Sequence, residues 1–234
     1  MCVLIFLFLS MSHFEIEVKS LLGDEAAAAR LKARMQELDP TVTLTSTNTQ
    51  LNHYFEGGDL EQLFENVRDL FDEAQLQKLR TTIERGTEFS IRSRQRDKEI
   101  LLVLKASIDE GTSANTVKRI EFEEPVSITL DELDECLLAA GFSYQAKWSR
   151  EREEYAFKGA NVCLDKNAGY GYLAEVEKIV HDETLADQVR AEIDELMFEL
   201  ELMELDQERL ARMFDHYNTN WPDYYGTDRI FVIE

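Results

Sequence analysis

Cysteine and histidine are scarce, with three of the first and four of the second in 234 residues. Cys2, Cys136 and Cys163 are odd in number and show no CxxC or Cys/His ligand spacing, which excludes a disulfide framework and a zinc centre. Such thiols fit a cytoplasmic protein. Cations are also in short supply: 25 Lys and Arg face 47 Asp and Glu, a net charge of −22. That balance excludes a general surface for nucleic acid or anionic membrane. No apolar run is long enough to span a bilayer, which takes about 20 residues; the strongest, residues 3–9, also lacks a basic flank and a small-residue cleavage site. Residues 1–11 read as an apolar extension, either a mis-assigned start or a disordered tail. Proline occurs only three times, at expected element boundaries or in the tail, and neither a linker, a repeat nor a low-complexity tract divides the chain. One domain over residues 12–216 with a tail over 217–234 is expected, and a 44% hydrophobic content suffices for its core.

The few cations are unevenly placed. Arg92, Arg94, Arg96, Lys98 and Lys105 form one group and Lys147, Arg150 and Arg152 another. Such clustering inside an acidic protein suggests a local anion site.

Helix and strand signals interleave. Asp24 caps a helix over residues 25–38 that Asp39 and Pro40 stop, and residues 50–55 read as a strand ended by Gly57 and Gly58. Residues 59–84 carry an apolar stripe at helical spacing, Leu60, Leu63, Phe64, Val67, Leu70, Phe71 and Leu76, which covers the sheet or forms a homodimer face. Strands follow at 87–95, 99–107, 116–125, 141–158, 161–166 and 171–180, making eight with those at 13–20 and 50–55. Helices are expected at 129–139, 183–203 and 206–214.

Within these strands charge alternates with apolar residues. Glu15, Glu17 and Lys19 lie opposite Phe14, Ile16 and Val18; Arg92 and Arg94 lie opposite Phe89 and Ile91; Arg119, Glu121 and Glu123 share a face, as do Arg150, Arg152 and Glu154, and Glu175 and Glu177 repeat the opening pattern. Any one strand of this kind is commonly a solvated sheet face. Carboxylate pairs in both terminal strands and Arg pairs in the middle ones fit better a sheet rolled into a barrel with its charges inward, where eight strands leave room for one small ligand. The fold class is α+β: an eight-stranded antiparallel barrel with helices outside. A lumen of both signs is balanced by a divalent metal on the carboxylates and a polyanion on the guanidinium forks. Oxygen ligands without His or Cys favour Mg²⁺ or Mn²⁺. His53, Tyr54 and Phe55 read as core aromatics with a base-stacking role as the lesser option; Lys147 and Arg119 fit lumen or exterior equally, and His13, His181 and His216 fit the surface.

The ordered set of motifs resembles the CYTH superfamily, the triphosphate tunnel metalloenzymes. Glu15-Ile-Glu-Val-Lys19 matches its ExExK signature, Arg92-Ser-Arg94 its Arg-x-Arg strand, Arg150-Glu-Arg-Glu-Glu-Tyr155 its basic strand, and Glu175-Val-Glu177 its closing ExE, over about residues 13–180. The resemblance implies a tunnel in which Glu15, Glu17, Glu175 and Glu177, assisted by Asp165 and Glu123, hold Mg²⁺ or Mn²⁺. It implies that Lys19, Arg92, Arg94, Lys105, Arg150 and Arg152 bind a small-molecule triphosphate, with Glu15, Glu17, Lys19 and Asp165 in catalytic roles. Residues 59–84 are longer than the usual connection, and residues 217–225 offer no lysine like the one that some members supply from a closing helix. The expected activity is metal-dependent hydrolysis of inorganic tripolyphosphate, thiamine triphosphate or a nucleoside triphosphate. Cyclisation of ATP to cyclic AMP and a non-catalytic polyphosphate-binding module are the alternatives.

Overall fold

The helices begin where short polar side chains can cap them. In the computed structural model, which describes residues 14–107, 119–180 and 183–233 without the side chains of Phe14, Glu15, Arg119 and Glu183, Asp24 accepts from the Ala27 amide at 2.8 Å to open α1 (Glu25–Leu38). Asp59 opens α2 (Leu60–Val67), and Asp72 with Gln75 and Thr129 with Glu132 form reciprocal capping boxes on α3 (Glu73–Arg85) and α4 (Leu130–Ala139). The helix expected over 183–203 is shorter: α5 spans Ala186–Glu199, and Glu201 at φ 57° reverses the chain while the Leu202 amide returns to the Met197 carbonyl at 2.8 Å. The last helix is longer than expected; α6 runs Gln207–Asn220 because Met213 and Tyr217 find buried seats.

Eight strands form one antiparallel sheet: β1 (Phe14–Gly23), β2 (Thr43–Gly57), β3 (Thr87–Arg96), β4 (Glu99–Ser107), β5 (Arg119–Val126), β6 (Phe142–Phe157), β7 (Ala160–Asn167) and β8 (Gly171–Val180). Their order is β1-β8-β7-β6-β2-β3-β4-β5. The Thr-rich lead-in to residues 50–55 is part of β2, since it pairs along the 16-residue β6 from Thr43↔Ala156 onward. In a flat sheet β1 and β4 would lie ~29 Å apart, six steps of about 4.8 Å. Lys19 of β1 and Lys105 of β4 instead line one cavity, so the sheet is rolled into a tunnel. No β1–β5 ladder closes the roll among the described residues.

Alternation within each strand then decides which residues look out. Val18, Val162, Ala174 and Val176 pack beneath α1 and α5, while Phe55, Ile91, Leu102, Leu104 and Phe122 pack beneath α2, α3 and α4. All seven residues of the stripe in 60–76 join this second cluster, so the stripe covers the roll. A third cluster joins Ala146, Leu173, Met213 and Tyr217. Ala146 shares a strand face with Trp148 and Arg150, which sets α6 across one end of the lumen. The chain after α6 stays on the roll: the Phe231 amide donates to the Gly169 carbonyl at 2.8 Å. Residues 1–11, Cys2, His13 and His181 lie outside the described residues.

Candidate active site in the tunnel

Seven of the eight strands and α6 contribute to one cavity of about 480 Å³. Its acidic side is built from β1 and β8, the pair at one edge of the sheet order. Glu17 sits directly opposite Glu177 in the β1–β8 register, and Lys19 opposite Glu175. Lys19 Nζ donates to Glu17 at 2.6 Å and lies 3.4 Å from Glu175, whose other oxygen meets Arg152 at 2.5 Å. Burial opposes both charges, but the Lys19, Arg152 and Arg150 cations outweigh it and hold the Glu175 carboxyl down at about 2. Lys19 is raised by the converse balance: burial lowers it, and Glu175 and Glu17 prevail. Glu177 accepts from Asn161 at 2.6 Å.

The basic side is organised around Asp165, which is 1% exposed. Its Oδ1 accepts from Arg152 Nε at 2.7 Å, and its Oδ2 accepts from Arg152 Nη2 at 2.6 Å and Arg150 Nη1 at 3.0 Å. This carboxylate fixes the two guanidinium planes side by side. Arg94 donates to Asn52 at 2.7 Å and Glu123 at 3.0 Å, and Lys105 meets Glu121 at 3.1 Å. Arg92 differs from the others: it donates to the Tyr54 hydroxyl at 2.5 Å, makes no ion pair among the described residues, and leaves its buried Nε without a partner. Two shifts record an excess of positive potential here. Burial, then repulsion from Arg92, pushes Arg94 down to about 10. Burial would raise the Tyr54 phenol, yet Arg92, Arg150 and Arg94 overcome it and hold the phenol below its ordinary value. Arg152, despite its burial, is shifted upward by Asp165 and Glu175, so the positive potential is concentrated on the side of Arg92 and Arg94, where an anion would be favoured.

Of the expected site residues, Glu17, Lys19, Arg92, Arg94, Lys105, Arg150, Arg152, Asp165 and Glu175 line the cavity together. Glu15 keeps its place in β1, but its side chain lies outside the described residues, as does that of Arg119. Glu123 is engaged by Arg94 and Arg96 and stands apart from the carboxylate group of Glu175 and Glu177. Lys147 faces outward, 3.8 Å from Asp134 and over the Tyr144 ring.

Gln50, Asn52 and Tyr54 complete the lumen, accepting from Arg150, Arg94 and Arg92 respectively. Their spacing of two in β2 carried the signal. Phe55 is core, and His53 belongs to a buried hub on the outer side of the same strands. Its Nδ1 lies 2.6 Å from Asp134 and its Nε2 lies 2.7 Å from the Tyr225 hydroxyl; Ser93 and Tyr144 also donate to Asp134. No local pattern announced that hub.

Carboxylate oxygens of Glu175 and Glu177 and the Cys163 sulfur come within 4.8 Å of one another, with Glu17 across the ladder from Glu177. Apart from one buried thiol, which burial holds protonated, this is an oxygen-rich donor set, and it fits a hard divalent cation.

An eight-stranded roll with helices outside and ions of both signs within defines a charged-tunnel protein of the α+β class. The CYTH domain model matches residues 13–211, and the chain belongs to the CYTH family. No curated protein matches it. Among solved structures it is similar to a conserved hypothetical protein from Pyrococcus furiosus, with 18% identity, a TM-score of 0.56, and coverage of 82% of this chain and 93% of that one. It is also similar to a candidate adenylyl cyclase from Hippeastrum described as having a dominant triphosphatase activity, with 16% identity, a TM-score of 0.51, and coverage of 86% and 95%. The PH1819 protein of Pyrococcus horikoshii is 20% identical, with a TM-score of 0.55 and coverage of 83% and 94%. At these identities the likeness is one of fold.

Proposed function

We propose that the chain hydrolyses a triphosphate within the tunnel with the help of Mg²⁺ or Mn²⁺. The observation that carries this reading is the cluster of cations on the basic wall: the buried Arg92 Nε has no partner among the described residues, and burial followed by repulsion from Arg92 lowers Arg94. A chain of phosphoryl oxygens supplies the missing charge, and guanidinium forks match it with paired donors. Lys19, Arg92, Arg94, Lys105, Arg150 and Arg152 bind and orient the polyphosphate. Asp165 holds Arg150 and Arg152 in position for it. Water attacks the terminal phosphorus, the bond to the bridging oxygen breaks, and orthophosphate and a diphosphate leave with release of one proton. Charge in such a transfer is spread over the phosphoryl oxygens, so positioned cations provide much of the acceleration. A divalent cation held by Glu17, Glu175 and Glu177, with Glu15 of the same strand, would neutralise phosphoryl oxygens and acidify a bound water.

The test is incubation with tripolyphosphate, thiamine triphosphate and ATP in Mg²⁺ or Mn²⁺, with the products resolved. Orthophosphate release is expected, and Glu177→Gln should abolish metal-dependent turnover while the circular dichroism spectrum is kept. Full activity in that variant refutes the metal assignment. The second reading is attack by the ribose 3′-hydroxyl of ATP on its α-phosphorus with loss of diphosphate, favoured by the aromatic side chains that share the cavity. Cyclic AMP as the dominant product would decide for it. Binding of tripolyphosphate without any turnover would mark a binding module.

A further inference from the structure

The turn that closes α5 carries the two most open large apolar side chains among the described residues: Phe198 is 85% exposed and Met203 82%. Their neighbours Met197, Leu200 and Leu205 are buried, so the core there is already filled without them. Both stand at one corner of the chain. The Leu202 amide donates to the Met197 carbonyl at 2.8 Å and the Glu201 amide to the Phe198 carbonyl at 3.1 Å, which folds Met203 back toward Phe198. Beyond the corner the Leu205 amide is fastened to the Lys19 carbonyl of β1 at 2.7 Å, and before it Arg34 Nε of α1 donates to the Glu199 carbonyl at 3.0 Å. The corner is therefore fixed, and a partner that met it would lose little to ordering it.

The surroundings are acidic. Residues 191–208 hold eight Asp or Glu and no Lys or Arg. Cations outside this stretch engage four of the eight: Lys178 meets Glu192 at 2.9 Å, Lys158 meets Glu199 at 2.6 Å, and Arg190 meets Asp194 at 2.9 Å and Glu204 at 2.6 Å. Glu195 and Glu201 meet none among the described residues, and they lie three residues before and three after Phe198. Glu201 is also the residue at φ 57°, a conformation that glycine adopts freely and that crowds any side chain with a Cβ. A carboxylate thus stands at the one position of the corner where glycine would fold more easily. Strain of this kind gathers at sites that contact ligands.

We infer that this corner is a docking surface for a basic segment of a partner protein, which sets Lys or Arg side chains against Glu195 and Glu201 and apolar side chains over Phe198 and Met203. Charge selects this occupant. A second copy of the chain would bring the same eight carboxylates to the same place, and phosphate-bearing surfaces, lipid or nucleic acid, are repelled as well. The net charge of −22 draws a cationic segment toward the protein from any side, and the apolar pair gives it one address. Phe198 supplies rigid contact area and Met203 an adaptable one, and both residue types are enriched where proteins meet. Neither side chain lines the tunnel cavity, so docking here is separate from the reaction proposed there.

Fluorescence anisotropy of the full chain with two labelled peptides of equal length and charge, an amphipathic lysine–leucine peptide and a lysine–serine one, tests the surface. The lysine–leucine peptide should bind roughly tenfold or more tightly than its apolar-free counterpart. Phe198→Ser combined with Met203→Ser should remove that margin. Both side chains lie in water, so this variant should keep the wild-type melting temperature, and its loss of binding would not be a loss of fold. Glu195→Gln combined with Glu201→Gln should weaken the lysine–leucine peptide by roughly threefold or more and reduce its salt dependence; an unchanged affinity would refute the charged contact. Equal affinity for the two peptides, or a margin that survives in the serine variant, would overturn the surface, because the acidic exterior alone would then account for binding. Dimerisation of the wild type in sedimentation equilibrium that the serine variant loses would give the corner to a second copy and overturn the basic partner.

Discussion

Asp165→Asn removes one negative charge and almost no volume from the middle of the tunnel wall. Both oxygens of Asp165 accept from guanidinium groups, at 2.7 Å on one side and at 2.6 and 3.0 Å on the other. Whichever way an asparagine amide turns, its NH₂ faces another donor. Its one remaining oxygen still accepts on one side, but the carboxylate charge is gone: Arg150 keeps the neutral Gln50 carbonyl oxygen, and Arg152 keeps Glu175 as its anion. Breaking a buried ion pair from one side costs about 3–5 kcal/mol, because the remaining charge is stranded away from water. For a domain of this size each kcal/mol moves the melting temperature by about 2–4 °C, so a fall of roughly 6–20 °C is expected by calorimetry. Tripolyphosphate should then raise the melting temperature of the variant more than that of the wild type, since it supplies the charge that was removed. A variant that melts within about 2 °C of the wild type would refute the idea that Asp165 restrains two mutually repelling cations.

Three further outcomes follow from the same geometry. Glu175 is held at about 2, below the 4.5 of a free glutamate; a depressed carboxyl stabilises the fold above its unfolded value and loses that contribution as pH falls from about 5 toward 2. The acid limb of urea denaturation should therefore be shallower in Glu175→Gln, and an unaltered limb would refute this. Gly171 has φ +71°, and a Cβ there would lie 2.2 Å from the Gly23 carbonyl oxygen. Gly171→Ala should cost about 2–5 kcal/mol in the urea midpoint, from the left-handed backbone and the displaced β1 end together. Tyr225→Phe removes the partner of His53 Nε2 and should cost about 1–3 kcal/mol, with amide exchange accelerated across residues 221–233.

The alternation of Glu15, Glu17 and Lys19, of Arg92 and Arg94, of Arg150 and Arg152 and of Glu175 and Glu177 was enough to place these residues on one face of each strand, because a strand has a strict period of two. The Asp24 cap was equally local, since a capping side chain reaches only two or three residues ahead. The end of α5 at Glu199 was less legible, because the apolar spacing continues through Leu200 and Leu202 while the backbone turns at Glu201.

Partnerships across the lumen had no such local code. That Asp165 serves Arg150 and Arg152, that Glu123 serves Arg94, and that Arg92 is left with Tyr54 depends on register and on the curvature of the sheet. Composition and periodicity therefore determined an inward-facing set of charges. Only the rolled sheet decided which of them neutralise one another. The same holds for Phe214 of α6 and Tyr170 of the β7–β8 turn: only the seating of α6 across the tunnel end brings both to the cavity. Side-chain alternation is written residue by residue, but curvature and helix seating arise from the summed packing of the whole chain.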